Sequence, residues 1–162
     1  MLDLSAADPD VLVLVGTQTG NSELVADAVA ERLGALGFAA HVLDLAEAVP
    51  DELQDHRQLV VVLCTWADGT YPDNAVDYVE SLDAIRPALP RLRYGIVGLG
   101  DRDYDPYYQT AALNLDALLR DCGAHPALPM HEIDGVPTPT DLAEACRWAE
   151  ACAAAFAQSA DR

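Results

Sequence analysis

Five short apolar runs, at 11–15, 39–43, 59–63, 94–97 and 127–133, alternate with segments of helical period at 22–36, 74–85, 107–121 and 140–157. Runs such as Val-Leu-Val-Leu-Val and Leu-Val-Val-Val-Leu are apolar at every position, so strands built from them need cover on both faces. Helices alternating with strands supply that cover, because each crossover lays a helix on the sheet and leaves the strands parallel. The pattern predicts an α/β fold, a doubly wound parallel sheet of five strands with helices on both faces. Gly37, Gly123 and the proline-bearing stretch 87–90 mark helix ends. With 162 residues, about half of them apolar, the chain can bury one core. A single domain over 1–162 is expected, with loose termini at 1–10 and 158–162.

In an open parallel sheet, ligands bind outside the carboxyl ends of the strands, near the point where the strand order reverses. The loops after the first, third and fourth strands therefore carry the functional information. The first, Gly16-Thr-Gln-Thr-Gly-Asn-Ser-Glu23, joins a strand to the start of a helix. Backbone N–H groups and the positive end of a helix dipole converge at such a place, which suits a phosphate. The chain contains no lysine, which excludes the nucleotide loop whose lysine reaches the outer phosphates. A phosphate here would be held by amides and by the hydroxyls of Thr17, Thr19 and Ser22, an arrangement for one terminal phosphate rather than a chain of two or three. A helix cap at Asn21 or Ser22 is the plainer alternative.

The loop after the third strand runs Cys64-Thr-Trp-Ala-Asp-Gly-Thr-Tyr-Pro-Asp-Asn74. The loop after the fourth is Gly98-Leu-Gly-Asp-Arg-Asp-Tyr-Asp-Pro-Tyr-Tyr108. Trp66 and Tyr104 thus stand where the core stops. Either one alone reads as a lid on the core. Together, at the edge that carries a phosphate loop, they read as two walls of a slot for a flat ring, each stacking contact adding on the order of 1 kcal/mol beyond buried area.

The strings T-Q-T-G-N-S, C-T-W-A-D-G with Y-P-D-N, and G-L-G-D-R-D-Y-D resemble, in order and place, the phosphate loop and the two isoalloxazine loops of flavodoxins. The likeness is colinear from about Val11 to Trp148. The stretch LPMHEIDGVPTPTDLAEACRW, residues 128–148, looks most like the short-chain, MioC-like flavodoxins, and the chain is also similar to the FMN modules of diflavin reductases. The resemblance implies a flavodoxin-like sheet of order 2-1-3-4-5 with no insertion splitting the fifth strand. It implies FMN as cofactor and a one-electron carrier rather than an enzyme. Carried over residue by residue, it implies that Thr17, Gln18, Thr19, Gly20, Asn21 and Ser22 wrap the phosphate. Trp66 would stack on the inner face of the ring and Tyr104 on the outer, while backbone groups of Thr65, Ala67, Asp68 and Gly69 and of Gly100, Asp101 and Asp103 meet its polar edge. The implied partners are a basic reductase of the ferredoxin– or flavodoxin–NADP type and an acceptor redox enzyme, with biotin synthase as a candidate. The rival reading is an FMN module served by a separate NADPH-oxidising subunit, or a flavin-dependent quinone reductase.

The formal charge of −18, from 27 acids against nine arginines, argues against binding nucleic acid or anionic membranes and favours basic protein surfaces. Asp68, Asp73, Asp101, Asp103 and Asp105 fall in the two ring loops, where negative charge is expected to lower the potential of the second electron. A solvated rim that only keeps the protein soluble is the plainer account of the same acids. Many flavodoxins carry glycine after the inner aromatic, and its carbonyl turns to accept the proton of the half-reduced ring. Here that residue is Ala67, whose methyl disfavours left-handed backbone by roughly 1 kcal/mol, so the half-reduced state is expected to be less stabilised.

Four cysteines form no C-x-x-C pair, the N-terminus lacks a signal-peptide pattern and no apolar run approaches a membrane span. These features lead to the expectation of a cytoplasmic monomer with reduced thiols. His41, His125 and His131 lack metal-ligand spacing; His131 reads as a surface residue and Cys64 as a small buried filler. A phosphorylated receiver domain would need an acidic pair after the first strand and a lysine after the fifth. A small tyrosine phosphatase would need a cysteine and an arginine framing its phosphate loop. Neither set is present in the sequence.

Overall fold

The computed structural model describes residues 10–160. β1 (Asp10–Gly16) is buried from Val11 onward and pairs in parallel with β2 (Ala39–Asp44) on one side and β3 (Gln58–Cys64) on the other. β3 pairs in parallel with β4 (Arg93–Gly100), whose far side takes β5 (His125–Pro126) and then β6 (His131–Asp134). All described strands thus lie in one sheet of order 2-1-3-4-5, with β6 continuing the last position. The chain leaves β1 for β2 and returns to β3 on the opposite side, so the order reverses between β1 and β3.

Alternation along the strands divides the core. Val11, Val13 and Val15, with Val60, Val62, Val97 and Leu99, face α1 (Asn21–Ala35) and α4 (Pro139–Ala160). Leu12 and Leu14, with Leu59, Val61, Leu63 and Ile96, face α2 (Asp73–Ile85) and α3 (Thr110–Asp121). Each fully buried aliphatic side chain contributes about 1.5–3 kcal/mol, which is why the central strands carry no polar positions between Leu59 and Leu63.

The helix stops fall where expected. Gly37 and Gly123 take left-handed backbone after α1 and α3, and the amides one residue beyond them, of Phe38 and Ala124, bond back to the carbonyls of Leu33 and Leu119. α2 ends at Arg86, itself left-handed at φ +44 and followed by Pro87.

One expectation is corrected. The fifth strand is not one run over 127–133 but two pieces. Between the pairs Tyr94↔Pro126 and Val97↔His131, β4 advances three residues and its neighbour five. The surplus two residues leave the ladder as a bulge. Pro129 within it has no N–H to give to a ladder, and its carbonyl instead accepts the Trp148 indole N–H at 3.2 Å. The loose termini expected at 1–10 and 158–162 lie largely outside the described residues; within them, Asp10 opens β1 and 158–160 complete α4. The connection from β2 to β3 also holds two 3-10 turns, Leu45–Glu47 and Pro50–Asp55, that residue periodicity does not announce.

Candidate cofactor site

At the carboxyl ends of β1, β3 and β4 lies a cleft of about 290 Å³. Of the residues named from sequence, Thr17, Gln18, Thr19, Asn21, Ser22, Thr65, Trp66, Ala67, Gly100, Asp101 and Tyr104 line it. Gly20, Asp68, Gly69 and Asp103 do not. Gly20 turns the first loop at φ +92, and Gly69 turns the tip of the second at φ +90. Asp103 sits inside a 3-10 turn, its N–H held by Asp101 Oδ1 at 2.9 Å.

The loop 17–20 is tied down before any ligand arrives. Gly20 N–H donates to Thr17 Oγ1 at 2.9 Å, and Thr17 N–H donates to Asn74 Oδ1 at 2.9 Å. The Gln18 amide makes a two-way bond with Asp73, accepting from its N–H at 3.0 Å and donating to its carboxylate at 3.3 Å. Asn74 Nδ2 donates to the Val15 carbonyl at 3.3 Å and to Asp44 Oδ1 at 2.9 Å. By contrast, α1 opens at Gly20 with no side-chain cap on its first amides. Ser22 Oγ, in a fully buried residue, has no hydrogen-bond partner of ordinary geometry among the described residues. The half-buried Cys64 thiol sits beneath it. Burial pushes that thiol's pKa up, against smaller downward effects of the Gln18 backbone and the Ser22 hydroxyl.

The first ring loop is a closed turn. Trp66 N–H donates to the Thr70 carbonyl at 2.8 Å, Thr70 N–H returns to the Trp66 carbonyl at 2.9 Å, and Thr70 Oγ1 donates to that same carbonyl at 2.8 Å. Inside this turn Ala67 is left-handed at φ +46, the conformation its methyl was expected to oppose. Thr65 Oγ1 accepts the Ala111 N–H of α3, so its side chain caps a helix. The second ring loop packs back on β4. A side chain at Gly100 would run into the Tyr108 carbonyl, which fixes glycine there. Trp66 is 42% exposed and Tyr104 58%, both at the cleft.

Sequence reasoning missed a third wall. Gly135 and Val136, after β6, line the cleft, and Val136 is 72% exposed. Gly135 N–H donates to the Gly100 carbonyl at 2.8 Å, and Asp134 Oδ1 accepts the Arg102 N–H at 2.9 Å, so this loop is fastened to the second ring loop. The one available signal was position: a Gly-Val-Pro turn at a strand's carboxyl end. Leu99 and Cys64 also line the cleft. His131 is half-buried rather than a surface residue, stacked at a tilt against Trp148 with its Nε2 unpartnered. Burial lowers its pKa below 6.5, against weaker upward effects of Glu144, Asp141 and Glu132. Among the described residues no group of side chains could hold a metal ion, and no helix is long and apolar enough to cross a membrane.

The sequence profile of the flavodoxin family matches residues 13–148. The chain belongs to the flavodoxin family. Flavodoxins are electron-transfer proteins with FMN as cofactor, and that chemistry is this chain's. Among solved structures, this flavodoxin is similar to a cysteine-to-alanine mutant of the flavodoxin from Pseudomonas aeruginosa, at TM-score 0.82 and 30% identity, over 91% of this chain and 99% of that one. It is also similar to a short-chain flavodoxin associated with a bacterial microcompartment, at TM-score 0.82 and 25% identity, over 91% and 98%. In sequence it is 33% identical over 123 residues to the sulfite reductase [NADPH] flavoprotein alpha-component of Aliivibrio fischeri, covering 75% of this chain and 20% of that protein. The corresponding protein of Bacillus subtilis is 32% identical over 130 residues, covering 80% and 21%. The chain thus spans about a fifth of the length of these reductase components.

Proposed function

We propose that this flavodoxin holds FMN in the cleft at the ends of β1, β3 and β4, its phosphate at the start of α1 and its ring between Trp66 and Tyr104. It would pass single electrons from a reductase to an acceptor protein. One observation carries the assignment: the uncapped start of α1 and the orphaned, buried Ser22 hydroxyl open into the same cleft as the two exposed aromatics. A buried hydroxyl without a partner costs about 1–3 kcal/mol, and a phosphate oxygen relieves it. The fit refines the roles expected from sequence. The backbone N–H groups of Thr17 and Thr65 are engaged by Asn74 and by the Leu99 carbonyl, and the Gln18 side chain is engaged by Asp73, so Thr17 and Thr65 would meet the cofactor through hydroxyls that accept from Gly20 and Ala111 and still have an O–H to donate. The free hydroxyl of Ser22, with Thr19, would meet it directly.

When bound, FMN supplies a group that takes up and releases electrons one at a time. Trp66 and Tyr104 exclude water from its faces, and Val136 closes a third side. Asp101 lines the cleft, and its negative charge opposes accumulation of negative charge there. The net charge of −18 favours basic partners; the resemblance to MioC-like flavodoxins suggests a donor of the ferredoxin–NADP reductase kind and an acceptor such as biotin synthase.

The similarity to sulfite reductase flavoprotein components favours a second reading, an FMN module working with a separate NADPH-oxidising unit. Anaerobic titration of the FMN-loaded protein tests both readings, which share a flavin that waits for a separate donor, against a reductase that oxidises NADPH itself. A carrier takes electrons in two resolved steps from dithionite and none from NADPH until a reductase is added. If NADPH alone bleaches the flavin rapidly, the protein is a reductase in its own right, and if the purified chain takes up no FMN the assignment falls.

A further inference from the structure

The loop that would receive the phosphate contains no basic residue, so its affinity rests on where its amides and hydroxyls point. In a loop with a lysine, charge attraction tolerates some looseness, but amide donors lose most of their worth when misdirected. Something must therefore hold 17–20 in shape, and the loop's own bond from Gly20 to Thr17 closes only one turn of it. We infer that Asn74 is the positioning residue of this phosphate loop. The inference rests on the FMN assignment above.

The geometry is specific. Asn74 is part-buried in the first turn of α2, and its side-chain amide bonds to three places, the loop at Thr17, β1 at Val15 and β2 at Asp44. Its Oδ1 takes the Thr17 N–H, which fixes the direction in which the chain leaves β1. Its Nδ2 holds the Val15 carbonyl, the last turn of strand before the loop, and Asp44 Oδ1 at the end of β2. Asp44 Oδ1 also accepts the Ala46 N–H at 2.8 Å, so it is itself held from the far side. Next to Asn74, Asp73 fastens Gln18 through two bonds. The start of α2 thereby clamps the loop at 17 and 18, leaving Thr19, Asn21 and Ser22 to face the cleft. The same helix start closes the first ring loop, which ends at Tyr71 and Pro72, so phosphate loop and ring loop share one anchor. An uncharged side chain of this shape is required: it must accept from Thr17 and donate to Val15 and Asp44 at once, which neither aspartate nor leucine can do.

The test separates the phosphate from the ring by comparing FMN with riboflavin, which has the ring and lacks the phosphate. Apoprotein is titrated with each by fluorescence quenching, and melting temperatures are recorded. Asn74→Ala is expected to weaken FMN by on the order of tenfold, the worth of roughly one hydrogen bond, while riboflavin changes by less than about threefold. Asp44→Ala leaves Asn74 and α2 in place and removes one tether. It is expected to weaken FMN in the same selective way by a smaller factor, although deleting a negative charge near a phosphate would by itself strengthen binding. Selective loss in Asp44→Ala therefore supports positioning even if Asn74→Ala does not fold. A melting temperature that falls while the FMN-to-riboflavin ratio stays constant, or FMN binding strengthened by Asp44→Ala, overturns the inference. If the unaltered protein binds neither flavin, the cofactor assignment fails first, and this inference with it.

Discussion

At the scale of single residues, Ala67 concentrates the tension in the site. A non-glycine residue at φ +46 costs about 1 kcal/mol, and the turn closed by the Trp66 and Thr70 bonds imposes it. Ala67→Gly relieves that strain and restores the unfolded chain's freedom, two opposed effects of similar size, so thermal stability is expected to move by less than about 0.5 kcal/mol. The separation between the two one-electron potentials is expected to widen, because the glycine peptide turns more freely. Potentiometry of the loaded variant decides it, and an unchanged separation would remove this account.

His131 makes a second residue-scale prediction. Its native pKa lies below 6.5, so as pH falls through about 6.5 the unfolded chain binds a proton that the native protein resists. This contribution to stability is therefore fully present above 6.5 and is lost on acidification toward the lowered native value. Urea midpoints at pH 7.5 and pH 5.5 should differ more for the parent than for His131→Gln. Trp66 and Tyr104 were legible in the sequence because large aromatics at strand ends contradict the burial rule. Val136 was not, since a lone exposed valine is ordinary in any sequence and only the neighbouring loops give it a role.

At the scale of elements, the helices were legible because apolar residues at period 3.6 and glycine stops act locally, within one segment. The fifth strand was misread for the opposite reason. Its bulge is fixed by α4, where the Trp148 indole reaches the Pro129 carbonyl, and the one local sign of a break, Pro129 without an N–H for the ladder, was outweighed by the apolar run around it. The packing beneath is tight. A Cβ on Gly95 would lie 2.7 Å from the Trp148 ring, so Gly95→Ala is expected to cost about 1–3 kcal/mol by overpacking. Gly95→Ala combined with Trp148→Leu should cost less than the sum of the two single changes, and denaturant melts of the three variants measure that coupling. The exposed Arg32–Glu150 pair between α1 and α4 is worth at most about 1 kcal/mol, so apolar contact carries that interface.

For the molecule as a whole, a parallel sheet covered on both faces follows from the alternation of elements, while the order 2-1-3-4-5 was legible only through the resemblance of the loops to those of flavodoxins. Surface charge follows from composition. A net charge of −18 on this small a body repels itself, so added sodium chloride is expected to raise the melting temperature of the cofactor-free protein. The same salt should slow electron delivery to a basic acceptor protein, because it screens the attraction that brings the two together. Stopped-flow rates over a range of ionic strength check this, and a flat dependence would mean that the acidic rim plays no part in docking.

The step at 127–130 has one more consequence, for how this chain tolerates change in length. A ladder position admits an extra residue only by shifting every partner beyond it, yet this edge has already surrendered two residues and resumed pairing at His131. Closing a longer loop adds only about 0.6 kcal/mol for each doubling of its length. The turn between Leu128 and Pro129 is therefore a natural splice point, where a foreign peptide could be carried on the edge of the sheet, a strand's length from the cleft.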